Sequence, residues 1–314
     1  MWLRLGLVLV SVILILTSNP VGAEKYTIDG DVSDWGIDLR SGLQNNINAW
    51  IPTSSTADWV VEDDVYSGYS GYSSGVHITS VESGYATYVE EKITWFWKSG
   101  QKTKKVVQPS GGEPWDVEAL YFDDDERYIY FAIILSNNLP FKGLCTKHGI
   151  YTGLGDLYLE VVRNGIVKKY GVVLKEHQGL KVGEIIEDPK WYDDLYEYCS
   201  GGERGWKEID KSLIVPGGEK VGNAEVVIKR AQDSSGYIDD HGKPNYVIEI
   251  KIDRKLVGYP QSGDAEMKFS VSCGNDIIKK KVSYNYNTIP EFYAIIIPAG
   301  IILGFFQYYR SRKN

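Results

Sequence analysis

Residues 115–134 read WDVEALYFDDDERYIYFAII, and this stretch decides the fold. Residues 117–122 and 128–135 are runs of β-branched and aromatic side chains, separated by 123–127, whose Asp-rich composition is that of a hairpin loop. The second run is apolar at every position. Both of its faces therefore need cover, which is the pattern of a central strand in a sandwich core.

The same signal continues on the carboxyl side. Residues 157–163 and 166–174 flank Asn164-Gly165, the dipeptide best suited to the two left-handed positions of a type I′ turn, so they read as a hairpin. In 246–253, Tyr246, Ile248, Ile250 and Ile252 alternate with Val247, Glu249, Lys251 and Asp253. In 266–273, Met267, Phe269, Val271 and Cys273 alternate with Glu266, Lys268, Ser270 and Ser272. Period-two alternation predicts two half-buried strands, with Cys273 facing inward. Only 189–198 has a short helical look, with Pro189 in the first turn. No alternation of strands with helices occurs, which disfavours doubly wound folds. The expected class is all-β, a two-layer antiparallel sandwich over 24–288. A decorated loop at about 63–112 contains the Tyr/Ser/Gly tract 67–75 and a strand-like stretch at 91–98.

The two ends read differently. Residues 5–16 are an unbroken apolar run after Arg4, too short to span a bilayer comfortably, and Val21, Gly22 and Ala23 supply small residues for cleavage. Residues 1–23 are expected to be a signal peptide, with an uncleaved anchor as the alternative. Residues 292–309 are long and apolar enough for one transmembrane helix, followed by Arg310, Arg312 and Lys313, which positive-inside retention places in the cytoplasm. The expected localisation is the cell surface, with the ectodomain outside and the membrane as a partner at 289–314.

Among 314 residues the formal net charge is -8, and no basic stripe occurs outside the tail, which argues against a nucleic-acid partner. The three cysteines, Cys145, Cys199 and Cys273, are far apart and show no metal-ligand spacing. Export permits a disulfide, and the pairing expected is Cys145 with Cys199, both in loop-like sequence.

Pro290-Glu291-Phe292, followed by the apolar stretch and the basic cluster, resembles the archaeal PEF-type carboxyl-terminal sorting tail. That resemblance implies an archaeosortase-type processing enzyme as a partner and transfer to a lipid anchor. A tail helix that stays attached is the alternative. IDGDVSDW at 28–35 resembles the first strand of sugar-binding sandwiches of the family 9 carbohydrate-binding or DOMON-like kind. DWVVED at 58–63, the 115–134 stretch and SCGND at 272–276 are similar to secreted proteins that bear such sorting tails. The resemblance implies a surface-displayed sandwich and no particular reaction.

Several residues carry candidate chemistry. Asp123, Asp124 and Asp125 place hard oxygen ligands in one short stretch and make calcium the candidate cofactor, against the alternative of a solvated acidic turn. Asp29, Asp31 and Asp34 form a second acidic group. Trp95 and Trp97 share a face if 91–98 is a strand, with Tyr85 and Tyr88 nearby, and flat aromatic surfaces hold sugar rings. Inward packing of the tryptophans is the alternative. Gly71-Tyr72-Ser73-Ser74-Gly75 fits a nucleophile-elbow pattern formally but lacks the strand and helix that the elbow requires. His77, His148, His177 and His241 stand alone in sequence. The expected function is non-catalytic binding of a glycan or another envelope component. A structural or adhesive surface protein is the alternative, and an undetected hydrolase comes third.

Overall fold

The computed structural model describes residues 24–41, 47–63, 79–82, 85–89, 116–135, 143–145, 150–191, 212–231, 245–260, 264–272 and 277–286. The expected signal peptide at 1–23 and the segment with Pro290, Glu291 and Phe292 lie outside them. Among the described residues no helix is long and apolar enough to cross a membrane. Tyr26–Asn287 forms one compact unit.

That unit is all-β. It opens with two single turns of 3-10 helix, Val32–Trp35 and Ile47–Trp50, and then runs through β1 (Asp58–Asp63), β2 (Thr79–Glu82) and β3 (Tyr85–Val89). Next come β4 (Val117–Asp124), β5 (Tyr128–Leu135), β6 (Gly143–Cys145), β7 (Ile150–Thr152), β8 (Leu157–Arg163) and β9 (Ile166–Val172). The short strands β10 (Glu184–Glu187), β11 (Lys190–Trp191) and β12 (Ile214–Val215) follow. The last five are β13 (Glu219–Asn223), β14 (Glu225–Arg230), β15 (Tyr246–Asp253), β16 (Asp264–Ser270) and β17 (Ile277–Ser283).

A seven-stranded sheet has the order β14-β15-β5-β4-β1-β2-β3, and a six-stranded sheet has the order β13-β10-β9-β8-β16-β17. Every pairing within them is antiparallel. Their facing sides share one core: Phe122, Phe131 and Ile250 of the larger sheet pack with Leu159, Val172 and Phe269 of the smaller. The chain passes from one sheet to the other at Ala224, whose N–H donates to the Gly183 carbonyl at 2.7 Å.

The expected hairpins are present. β5 lies between β15 and β4 and is buried on both faces. Asn164 and Gly165 adopt φ values of 52° and 73°, the left-handed pair that a type I′ turn needs. The 63–112 insertion supplies β2 and β3, which extend the larger sheet to its edge.

Four expectations are corrected. Asp123 and Asp124 are the last residues of β4, so only 125–127 form the loop. Lys190 and Trp191, expected in a helix, pair with Val215 and Ile214 as a two-stranded ribbon. The IDGDVSDW stretch contains a 3-10 turn, Val32–Trp35, and no strand; Asp31 caps the turn and Gly36 ends it in the left-handed region. β15, expected to be half-buried, is covered on both faces, and Glu249 is 0% exposed.

A second core explains the last correction. Tyr26, Trp35, Leu39 and Trp50 lie over the outer face of the larger sheet, on Tyr121, Tyr130, Ile134 and Val247. The amino-terminal segment is thus a third layer. Trp35 and Trp50 are completely buried in it.

Candidate binding site at the amino-terminal turn

The local sequence of this layer is written in Asx turns, in which a carboxylate accepts from a backbone N–H two residues on. Asp31 N–H donates to Asp29 Oδ1 at 2.8 Å, and Ser33 N–H donates to Asp31 Oδ1 at 3.0 Å. Thr27 N–H donates to Asp34 Oδ2 at 2.7 Å. Asp29 and Asp31 are therefore turn residues, and Asp34 ties the turn back to Thr27. Gly30, at φ 83°, brings the chain so close to the sheet that a Cβ there would stand 2.7 Å from the Lys229 side chain.

Two carboxylates on the sheet hold this layer down. Asp29 and Gly30 N–H donate to Glu249 Oε2 at 3.0 and 2.6 Å, and Trp35 Nε1 donates to Glu249 Oε1 at 3.3 Å. Burial pushes the Glu249 carboxyl up to about 7, against the opposing pull of these donors. Tyr26 Oη and Ser54 Oγ donate to Asp123 Oδ2 at 2.7 and 2.8 Å, while Thr56 Oγ1 donates to Asp123 Oδ1 at 2.9 Å. Tyr26 also stacks flat on Trp35, with ring centroids 3.9 Å apart. Burial and the neighbouring Asp123 raise its phenol well above the usual range.

The candidate calcium ligands consequently do not converge. Asp123 serves the amino-terminal layer, whereas Asp124 points the other way, to the buried Arg254 guanidinium and to Asn285 Nδ2 at 2.9 Å. Asp125 accepts from Arg127 and Tyr128 N–H at 2.7 and 2.6 Å and from Tyr130 Oη at 2.7 Å. Strand alternation parts the first two, and protein donors occupy the carboxylates. Among the described residues no group of three or more His, Cys, Asp or Glu side chains is arranged to hold a metal.

Beside the turn lies a cleft of about 390 Å³, bounded by Asp31, Val32 and Ser33 on one side and residues 36–40 on the other. Its size falls in the range of small-ligand clefts, roughly 300 to 1,000 Å³. Val32, Ile37 and Leu39 are among the lining residues, but their side chains are buried and packed in the second core. At the rim, Arg40 Nε and Nη2 donate to Asp38 Oδ1 and Oδ2 at 2.8 and 3.0 Å. The Arg40 guanidinium holds the Asp38 carboxyl below its ordinary range. Both side chains remain open to solvent, at 71% and 42% exposure for Arg40 and Asp38. Comparison with protein-family models, curated proteins and solved structures returns no match. The cleft is therefore read from its own chemistry: a solvent-exposed guanidinium–carboxylate pair at its rim, whose remaining N–H donors and carboxylate lone pairs can meet vicinal hydroxyls.

Other sequence candidates fall elsewhere. Tyr85 and Tyr88 lie on β3, at the outer edge of the larger sheet. Trp95, Trp97, Cys199, Cys273, the 71–75 tract and three of the histidines lie outside the described residues, and Cys145 is the last residue of β6. His177 is half-shielded beside buried Asp156: its Nε2 is 2.7 Å from the Ile214 carbonyl and 3.4 Å from Asp156 Oδ2, and its Nδ1 is 2.5 Å from the Lys175 carbonyl. Asp156 also accepts from Leu174 and Ile214 N–H at 2.9 and 2.8 Å. Burial pushes its carboxyl up to about 6. Ser212 directs its hydroxyl to the Ser272 carbonyl at 3.0 Å, and among the described residues the Asp156–His177 pair engages backbone groups of neighbouring loops. Asp38, Arg40 and Glu249 were not flagged by sequence; the apolar-polar alternation of 37–40 is the one local signal that could have pointed to the rim.

Proposed function

We propose that this chain is a cell-surface, non-catalytic binding module whose amino-terminal cleft takes a polyhydroxylated ligand, a glycan or a related envelope component. The exposed Asp38–Arg40 pair at the rim of the cleft carries this reading. A sugar offers a rim of vicinal hydroxyls, and the exposed guanidinium and carboxylate supply donors and acceptors for them. Surface display rests on the two terminal apolar segments of the sequence and on the basic residues after the second.

Two of the sheet edges weigh against strand-mediated assembly. β17, an edge of the smaller sheet, exposes Lys279 and Lys281, and β14, an edge of the larger, exposes Glu225, Lys229 and Arg230. Charged side chains on an edge strand oppose pairing with another chain.

A glycan array probed with the purified full chain tests the proposal. Wild type should mark a restricted set of glycans, and Asp38→Ala with Arg40→Ala should lose them while melting at the wild-type temperature. Equal signal from the double variant would remove the cleft from the account, and no glycan signal at all from wild type would remove the ligand class.

A further inference from the structure

The β8–β9 hairpin ends in an exposed apolar tip. Ile166 and Val167 are 61% and 47% exposed, two of the three large hydrophobic side chains left open among the described residues. They follow the Asn164-Gly165 turn directly, and the exposed cations Arg163 and Lys169 flank them. Lys168 is already shared with Glu187 at 3.0 Å. A β-branched apolar pair between solvent-facing cations matches the boundary between acyl chains and anionic headgroups.

Where the chain leaves the domain points to the same partner. Arg163 pairs with Ile166, Leu159 of β8 lies opposite Met267 of β16, and Asp264 of β16 lies opposite Ser283 of β17. Counting along these registers puts the hairpin tip and the end of β17 at one end of the smaller sheet. Tyr284 Oη donates to the Glu160 carbonyl at 2.9 Å, and Glu160 is three residues, about 10 Å of strand, from Arg163. The exit is fixed there: Asn285 N–H and Nδ2 donate to Asp124 Oδ1 at 3.1 and 2.9 Å, and Arg254 Nη2 donates to the Tyr286 carbonyl. From Tyr286 to the apolar run beginning at Phe292 is six residue steps, which reach at most about 20 Å.

We infer that this hairpin tip rests on the anionic lipid surface in which the carboxyl-terminal segment is anchored, with Ile166 and Val167 entering the headgroup boundary and Arg163 and Lys169 meeting its phosphates. The inference rests on the membrane-tethered reading proposed above. The contact orients the domain, since the tether alone would leave it free to tumble above the bilayer.

Hydroxyl-radical footprinting of the full chain in nanodiscs, made with anionic or with zwitterionic lipid and compared with detergent, tests it. In anionic discs the oxidation of Ile166 and Val167 should fall several-fold relative to detergent, and zwitterionic discs should protect less. Val182, 46% exposed on the 173–183 loop at the opposite end of β9, should be labelled equally in all three and serves as the internal control. Full labelling of Ile166 and Val167 in chains that co-purify with the discs would overturn the hairpin contact and leave the tether standing. Equal protection in both lipids would overturn the assignment to anionic headgroups. A chain that fails to enter discs at all would overturn the tether, and this inference with it.

Discussion

Trp35 donates its indole N–H to the carboxylate of Glu249 at 3.3 Å, across the outer face of a sheet that its own amino-terminal segment covers. The indole is completely buried and stacked on Tyr26. Trp35→Ala should therefore cost roughly 3 to 5 kcal/mol, the usual loss for a large aromatic removed from a packed core. Urea titration followed by far-UV circular dichroism measures it. A loss below about 1 kcal/mol would mean that the layer contributes little to folding.

Glu249 makes stability depend on pH with a definite sign. Burial raises its carboxyl from 4.5 to about 7, so the folded chain holds this proton more tightly than the unfolded chain does. The associated stability is full below the unfolded value and is lost as pH rises through the folded one, each pH step of one between the two values removing about 1.4 kcal/mol. Glu249→Gln removes the titrating group. Wild type should lose stability relative to this variant between pH 5 and pH 8, and parallel curves over that interval would contradict the assignment.

Arg254 and Asp124 form a completely buried ion pair that also holds the exit of the chain. Removing one partner strands the other charge, so Asp124→Ala should cost about 3 to 5 kcal/mol. Replacing both, with Arg254→Met and Asp124→Leu, should cost less than the sum of the two single changes. A double-mutant cycle in urea measures the coupling, and strict additivity would show that the pair does not act as a unit.

Gly165 stands at φ 73° with nothing within 4 Å of where a Cβ would lie. Gly165→Ala should therefore cost about 1 kcal/mol through backbone conformation alone. A cost near 3 kcal/mol by thermal melting would point to a contact at the tip.

How much of this the sequence disclosed depends on how local each determinant is. β5 was legible because all its positions are apolar, which only cover on both faces explains. Asn164-Gly165 was legible because a two-residue turn states its own geometry. Glu249 was not, since alternation in β15 reads it as solvent-facing, and the donors that bury it lie some 220 positions away at Asp29 and Gly30. Asp123 and Asp124 misled for the same reason: Asp in a row signals a turn locally, yet here one carboxylate anchors Tyr26 and the other pairs with Arg254. The rim of the cleft was equally obscure, because an Asp–Arg pair such as Asp38 and Arg40 is common on any surface and acquires meaning only when the fold places it beside a cleft.

Isothermal titration of a glycan selected on the array, against the full chain and against the Arg40→Ala variant, tests the binding account most directly. Wild type should bind one equivalent per chain, and the variant should bind at least about tenfold more weakly, a loss of some 1.4 kcal/mol, with its melting temperature unchanged. Equal affinity of wild type and variant would contradict the account and move the ligand site away from the amino-terminal cleft.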